Sequence, residues 1–223
     1  MTDYSQHGEQ NNILHYFARM TKPGQMNPEV VLGNLLSIGE NDGTTFSNSR
    51  ALLELGWTGV LVEPAPIAYK KLSALYEGNN KVWPVKVAIS DIDGVVDFYS
   101  SDSHLKKGDT DLVSTIKPEE RDRWGATQNF TKTEVTSCSW QTFQHFMRHH
   151  LPAYSCANTE KFNFITIDAE GYDLCILKQM DLVALGCECL IIEHNGKDLQ
   201  EFTATASPLK LIFNNGTNLI FVK

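Results

Sequence analysis

An apolar run changes abruptly into a polar, glycine-containing segment at residues 35–43, which read LLSIGENDG. Apolar residues that end at glycines are typical of a buried strand followed by a tight turn, because glycine lets the backbone turn and approach a ligand without an intervening side chain. Helical spacing follows from about Phe46 to Leu55, and Gly56 stands where a helix would stop. The segment therefore predicts a strand, a turn and a helix, which is the repeating unit of a parallel α/β sheet.

The same alternation of strand-like and helical segments continues along the chain. We predict further strands at 30–32, 59–62, 82–89, 95–99, 133–138, 162–167 and 187–192, and helices at 8–20, 66–76, 140–150 and 172–180. Two apolar runs, 209–213 and 219–222, flank an Asn-Gly turn and predict a C-terminal antiparallel hairpin. The fold class predicted is thus α/β, with a doubly wound, mostly parallel sheet and helices on both faces.

The chain length predicts one domain over residues 1–223, without repeats. We expect residues 1–29 to form an N-terminal helical extension. Residues 101–132 are polar and weakly periodic, which predicts a lid or a substrate-binding loop.

Composition disfavours several classes of partner. The net charge is -8 and no Lys/Arg-rich block occurs, so we expect a small-molecule or glycan partner and no nucleic acid. No apolar run approaches the roughly 20 residues of a membrane span, and no signal peptide is recognisable, so we expect a cytoplasmic protein without membrane insertion. The five cysteines are scattered, which favours buried, reduced thiols over a zinc site. The oligomeric state stays open.

In a parallel sheet, ligands bind outside the carboxyl ends of the strands. The turn at residues 39–43 lacks the dinucleotide fingerprint, because Asn41 occupies the position of its middle glycine. Asp42 would repel a pyrophosphate but tolerate a cationic ligand. Glu63 ends the next strand about 20 residues later, the spacing at which an acidic side chain accepts hydrogen bonds from a ribose.

Three carboxylates lie within six residues after the strand 162–167, at Asp168, Glu170 and Asp173. One or two of them can be explained by the start of a helix, where negative charge is favourable. Asp168 stands at the strand tip itself and is the preferred functional residue.

The strand 187–192 is followed by Glu193, His194 and Asn195, which we expect to lie near Asp168. His194 can serve as a general base for a hydroxyl, because the ordinary pKa of histidine is about 6.5. Alternatively, Asp168 with Glu193 and Asn195 can bind a divalent cation such as Mg²⁺ through oxygen ligands. We favour the base over the metal.

Taken together, five segments in order resemble the motifs of the FkbM family of methyltransferases. These segments are SQHGEQ at 5–10, SIGENDG at 37–43, VEP at 62–64, IDAEGY at 167–172 and EHN at 193–195. The resemblance extends from about Ser5 to Val222 and implies a seven-stranded, Rossmann-like class I methyltransferase fold.

The resemblance also implies S-adenosylmethionine as cofactor and O-methylation of a hydroxyl in a sugar, glycan or natural product. The cofactor-binding residues it implies are Gly39, Glu40, Asn41, Asp42 and Gly43 around the methionine part, Glu63 at the ribose, Ala88, Ser90 and Asp91 at the adenine, and Asp168 near the methyl group. The catalytic candidates are Asp168, Glu193 and His194, and the substrate-binding candidates are Trp124, Glu170 and Asn195.

The sequence disfavours two other classes of function. A nicotinamide-dependent Rossmann oxidoreductase is disfavoured because Glu40 and Asp42 lie in the turn that would bind the pyrophosphate. A catalytically inactive scaffold that binds S-adenosylmethionine is disfavoured because the polar residues 193–195 are present at the strand tip.

Overall fold

The computed structural model describes residues 2–19, 29–101, 111–151 and 160–223. In these ranges the helices are α1 Glu9–Phe17, α2 Arg50–Glu54, α3 Pro66–Leu75, α4 Pro118–Trp124, α5 Trp140–His150, α6 Asp173–Lys178 and α7 Leu199–Thr205. The strands are β1 Ala18–Arg19, β2 Glu29–Val30, β3 Asn34–Ile38, β4 Thr58–Val62, β5 Val82–Val85, β6 Ala88–Ile89, β7 Gly94–Ser100, β8 Thr131–Cys138, β9 Phe164–Ile167, β10 Cys189–Glu193, β11 Lys210–Asn214 and β12 Asn218–Val222.

Seven strands form the central sheet, in the order β11-β12-β10-β9-β3-β4-β5. The pairs from β10 to β5 are all parallel, whereas β12 runs antiparallel to both β10 and β11. The predicted fold class and the C-terminal antiparallel hairpin are confirmed. The strand order reverses between β3 and β9, which is the switch point at which doubly wound sheets bind ligands.

Both faces of the sheet are buried under helices. Alternate residues along β3 belong to different cores: Leu35 packs with Phe17 of α1 and Leu72 of α3, whereas Leu36 packs with Phe143 of α5. Side chains in a strand alternate between the two faces, so burial on both sides requires the nearly continuous apolar runs seen in the sequence.

A second, three-stranded sheet in the order β6-β8-β7 lies beside the first. The single strand predicted at 82–89 is therefore wrong in extent, because the chain leaves the central sheet after Val85 and joins the smaller sheet at Ala88. The predicted loop at 101–132 contains α4 and the start of β8. Its residues 102–110 lie outside the described residues.

The N-terminal helix ends earlier than predicted, at Phe17, and Ala18–Arg19 pairs with Glu29–Val30 instead. The prediction for residues 20–28 lies outside the described residues. Within the described part of the chain, no helix is long and apolar enough to cross a bilayer.

Candidate active site

The site residues follow directly from the register of the parallel strands. Ile38 pairs with Val62 on one side and with Ile167 on the other, and Ile167 pairs with Ile192. The next residues along these four strands are Glu63, Gly39, Asp168 and Glu193. The carboxyl edge thus carries three carboxylates in one row, with a glycine between the first and the second.

Gly39 is the position where the sheet edge must stay free of a side chain. Its backbone has φ +80°, and a Cβ added there would lie 1.7 Å from the carbonyl oxygen of Asp168. The Gly39 N–H donates to Val62 O at 2.9 Å, which fixes the start of the turn. Any L side chain at this position would push the tips of β3 and β9 apart.

Glu40 is turned inward and stabilises the turn. Its buried carboxylate accepts hydrogen bonds from the hydroxyls of Ser37 at 2.5 Å, Ser47 at 2.6 Å and Ser49 at 2.7 Å. Burial, followed by the charge of Asp42, raises the pKa of Glu40 against these hydrogen bonds. Glu40 borders the cavity, but its two oxygens are already engaged by hydroxyls of the chain.

The rest of the turn is also closed by local hydrogen bonds. Asp42 accepts from the backbone N–H of Thr44 and Thr45, and it does not border the cavity. Gly43 has φ +77° and faces α3, where an added Cβ would lie 2.7 Å from Leu72. Of the predicted turn residues, Gly39, Glu40 and Asn41 line the cavity.

Glu63 is buried, and both its oxygens accept backbone hydrogen bonds. Oε1 accepts from Ala65 N and Oε2 from Asn41 N, each at 2.8 Å. Burial, with the charges of Asp111 and Glu40 in addition, raises the pKa of Glu63 to about 8. The side chain links the strand tip to the glycine turn and keeps lone pairs for a ligand hydroxyl on the cavity wall.

A cavity of about 580 Å³ lies over this edge and is lined from Glu63 to Glu193. Ala88 borders it together with the apolar side chains of Ile89 and Phe98. The structure does not place the other two predicted adenine residues on its wall. The hydroxyl of Ser90 is buried against Ser137 at 2.7 Å, and Asp91 is exposed to solvent.

Three carboxylates meet at the other half of the cavity. Oxygens of Asp168, Glu170 and Glu193 all lie within 4.8 Å of one another. Burial raises the pKa of each, and each is raised further by neighbouring carboxylates: Asp173 acts on Asp168, and Asp168 acts on both Glu170 and Glu193. Such a cluster can share protons near neutral pH or bind a hard divalent cation.

The loop that carries Asp168 and Glu170 is fixed by Asp173. Its buried carboxylate accepts from the N–H of Ala169 at 2.7 Å and of Gly171 at 3.0 Å. Asp173 therefore has a structural role, as the sequence suggested for part of this acidic segment.

His194 is predicted to face the reacting groups, but the structure places it off the cavity wall. His194 is buried away from the cavity wall, and its Nδ1 accepts a hydrogen bond from Gly196 N at 3.1 Å. β10 ends at Glu193, and the chain then turns at Asn195, where φ is +49°, so that Glu193 and Asn195 border the cavity and His194 does not.

Asn195 does border the cavity but is not part of the carboxylate cluster. Its Nδ2 donates to Glu193 at 2.5 Å, and its amide oxygen accepts from Arg123 Nη2 at 3.2 Å. The oxygen ligands brought together are thus those of Asp168, Glu193 and Glu170, rather than of Asn195 as predicted for a metal.

The segment predicted as a loop forms the outer wall. Trp124 lines the cavity at the end of α4, and the guanidinium of Arg123 lies 4.8 Å from the centre of its ring. Thr115 and Lys117 connect this wall to the sheet edge, because they donate to the carbonyl oxygens of Glu170 at 2.8 Å and Gly171 at 3.4 Å.

Sequence reasoning did not single out several cavity residues. Gln6, Asp111, Arg123 and Asn218 all line the cavity. Only Gln6 lay in a recognised motif, and Glu9 of that motif explains its position. The buried Glu9 carboxylate accepts from Asn215 at 2.6 Å and from Asn218 at 2.8 Å, which holds the N-terminal segment against the β11–β12 turn.

The parallel sheet, its switch point and a cleft that starts at a glycine turn and an acidic strand tip define a Rossmann-like class I methyltransferase. A family model for the methyltransferase FkbM domain matches residues 37–215. The chain belongs to this family of S-adenosylmethionine-dependent methyltransferases.

Several solved structures are similar to this chain, and the first of those named here has the same fold. The crystal structure of an FkbM methyltransferase from Methylobacillus flagellatus KT is 13% identical, with a TM-score of 0.51; the match covers 92% of this chain but only 47% of that one. The METTL16 methyltransferase domain is 13% identical over 96% of this chain and 81% of that one, with a TM-score of 0.43. Fibrillarin from Aeropyrum pernix, solved with bound S-adenosylmethionine, is 10% identical over 89% and 70%, with a TM-score of 0.41. No curated protein matches the sequence significantly.

Proposed function

We propose that the protein transfers a methyl group from S-adenosylmethionine to a hydroxyl of a small-molecule acceptor, namely a sugar, a glycan or a polyhydroxylated natural product. The observation that carries the proposal is the cluster of Asp168, Glu170 and Glu193, which adjoins the glycine turn on one side and open cavity on the other. A hydroxyl is a poor nucleophile until its proton is removed, so this chemistry needs a proton acceptor at the reacting oxygen.

The residues present fit the donor. Gly39 lets the tips of β3 and β9 approach closely, and it lines the cavity beside Asp168, where the methionine part would bind. Glu63 keeps acceptor capacity for a ribose hydroxyl, and Ala88 with Phe98 offers an apolar surface for the adenine. The bound donor supplies an electrophilic methyl group on a sulfonium.

Asp168 is our candidate for the proton acceptor. It stands next to Gly39 in the register row, and burial together with Asp173 raises its pKa towards the pH at which a general base is most useful. The acceptor hydroxyl would pass its proton to the Asp168 carboxylate as its oxygen bonds to the methyl carbon and the carbon–sulfur bond breaks. Asp173, Glu9 and Glu40 favour this uptake, because their negative charges stabilise the protonated form of Asp168.

The acceptor side of the cavity suits a polyhydroxylated molecule. Arg123, Asn195 and Gln6 bring donors and acceptors of hydrogen bonds to the wall, and Trp124 offers an aromatic surface. Carbohydrates present both hydroxyl groups and apolar C–H faces, so a mixture of amide, guanidinium and aromatic groups can bind them.

The proposal is tested with methyl-labelled S-adenosylmethionine and a panel of glycans and small polyols, read by mass spectrometry. We expect the label in an O-methyl ether. Asp168→Asn should lower turnover by about 10²–10⁴-fold with little change in donor affinity, because it removes the proton acceptor and retains the shape. His194→Ala serves as the comparison and should retain turnover, since His194 lies off the cavity.

Three results would contradict parts of this proposal. Label on nitrogen, or on an RNA panel run in parallel, would exclude the hydroxyl of a small molecule as the acceptor. Loss of activity in a chelator, restored by Mg²⁺, would make the carboxylates metal ligands rather than a base. Donor binding without turnover on any acceptor would favour a catalytically inactive scaffold.

A further inference from the structure

One carboxylate of the cavity has no role in the proposed chemistry. Asp111 lines the wall and is only 6% exposed. Its Oδ1 accepts hydrogen bonds from the hydroxyls of Ser114, at 2.9 Å, and Ser100. Its buried Oδ2 receives no hydrogen bond from the described residues. A buried carboxylate oxygen without a donor is costly, so an oxygen of this kind on a ligand cavity points to a donor on the ligand.

The charges around the site show on which half of the cavity Asp111 acts. Its negative charge contributes to the raised pKa of Glu63, whereas the charges that act on Asp168 are those of Asp173, Glu9 and Glu40. The contacts agree, because Asp111 accepts a hydrogen bond from Ser100 of β7, and Phe98 of the same strand borders the cavity with Ala88. Asp111 therefore belongs with Glu63, at the nucleoside half, and not with the carboxylate cluster of Asp168, Glu170 and Glu193.

We propose that Asp111 is a second ribose-binding residue, which accepts a hydrogen bond from one ribose hydroxyl of the donor while Glu63 accepts from the other. The inference rests on the proposed function, because it assumes that S-adenosylmethionine occupies the cavity. A vicinal diol carries two hydroxyl protons, and two carboxylates can each accept one. Each oxygen of Glu63 already accepts one hydrogen bond from a backbone N–H, which leaves fewer lone pairs for the ribose. The negative charge of Asp111 at the diol would also repel nucleotides that carry a phosphate on the ribose.

The experiment combines variants with altered ligands in calorimetric titrations. The probes are S-adenosylhomocysteine, its 2′-deoxy and 3′-deoxy analogues, and S-inosylhomocysteine, which replaces the adenine amine by a carbonyl. Asp111→Asn retains the size of the side chain and removes its charge. Asp97→Asn is the matched control, because Asp97 is exposed on β7 in an ion pair with Lys132 and its substitution changes the net charge equally.

We expect the wild-type protein to bind both deoxy analogues about tenfold or more weakly than S-adenosylhomocysteine, since each loses a hydrogen bond to a charged group. Asp111→Asn should bind S-adenosylhomocysteine about tenfold less tightly. It should no longer discriminate against one deoxy analogue, and it should keep the full penalty for the other. Asp97→Asn should behave like the wild type in every titration.

Several outcomes overturn the inference alone. The first is unchanged penalties for both deoxy analogues in Asp111→Asn. The second is a change confined to S-inosylhomocysteine, which would assign Asp111 to the adenine amine. If Asp111→Asn does not fold, Asp111→Ser replaces it in the same titrations, and a wild type that is insensitive to the loss of either hydroxyl overturns the inference. Failure of the wild type to bind S-adenosylhomocysteine overturns the proposed function itself.

Discussion

Replacing Gly39 by alanine tests whether the glycine turn is built for close approach. The backbone at Gly39 has φ +80°, where an L side chain costs about 1–2 kcal/mol. The new Cβ would lie 1.7 Å from Asp168 O, and this contact with backbone cannot be relieved by a rotamer change. Overpacking of this kind costs a further 1–3 kcal/mol or so, giving an expected loss of about 2–5 kcal/mol in the free energy of unfolding.

The functional consequence follows from the same contact. Relief requires the tips of β3 and β9 to separate by more than about 1 Å, and a displacement of that size at a reacting group costs about 10²-fold in turnover. We therefore expect weak or absent binding of S-adenosylhomocysteine in calorimetry, alongside the loss of stability in urea unfolding.

Gly78→Ala is the matched control for backbone strain. Gly78 has φ +76°, but an added Cβ would meet no atom within 4 Å. It should lose only the conformational share, about 1–2 kcal/mol, and bind the ligand normally. Equal effects of the two substitutions, with ligand affinity intact in both, would refute the account of the turn.

Further predictions concern ligand affinity, stability and the acceptor. Glu63→Ala should weaken binding of S-adenosylhomocysteine by tenfold or more, because it loses hydrogen bonds worth about 1.5–3 kcal/mol each. Glu77→Ala on the surface is the control and should not weaken binding. Equal affinities of the two variants in calorimetry would argue against a ribose role for Glu63. The free energy of unfolding should fall as pH rises from about 4.5 to about 8, because Glu63 ionises in the unfolded chain while burial keeps it protonated in the fold. Glu63→Gln should reduce the slope of the free energy of unfolding against pH, and an unchanged slope would contradict the raised pKa of Glu63. Glu40→Ala should destabilise the ligand-free protein by about 1–3 kcal/mol in urea unfolding, since it leaves buried serine hydroxyls without their acceptor. An unchanged free energy of unfolding would exclude the stabilising role of Glu40. Trp124→Ala should raise KM for the acceptor and leave donor affinity intact; a collapse of donor binding would assign Trp124 to the cofactor side.

The strand tips could be predicted because burial on both faces leaves an unmistakable signal. An apolar run that stops at a polar or glycine residue locates the carboxyl edge, and this rule identified Gly39, Glu63, Asp168 and Glu193. These residues are brought together by the register of parallel strands alone. Their proximity follows without knowledge of any other long-range contact.

The orientation of His194 could not be predicted from alternation along a strand. Side chains alternate only within a strand, and where β10 ends at Glu193 the turn that follows decides which residues border the cavity. The helix α4, by contrast, carried a signal, because Pro118 stands at its first turn with Glu119 and Glu120 behind it. In both segments, polar composition alone does not show which side chains border the cavity.

Other features depend on tertiary contacts that leave no local pattern. Asp111 lies on the cavity wall and accepts a hydrogen bond from Ser100 of β7, beside the bridge between Tyr99 and Thr115. The break between β5 and β6 likewise reflects a change of pairing partner from β4 to β8. Neither pairing can be read from periodicity, since an apolar run does not specify its neighbour.

The central claim is that the cleft over Gly39, Glu63 and Asp168 binds the nucleoside of S-adenosylmethionine. Titration of the wild-type protein with S-adenosylhomocysteine, and separately with NAD, tests it most directly. We expect one site for S-adenosylhomocysteine and no binding of NAD, because the turn lacks a dinucleotide fingerprint. Binding of NAD without binding of S-adenosylhomocysteine would contradict it.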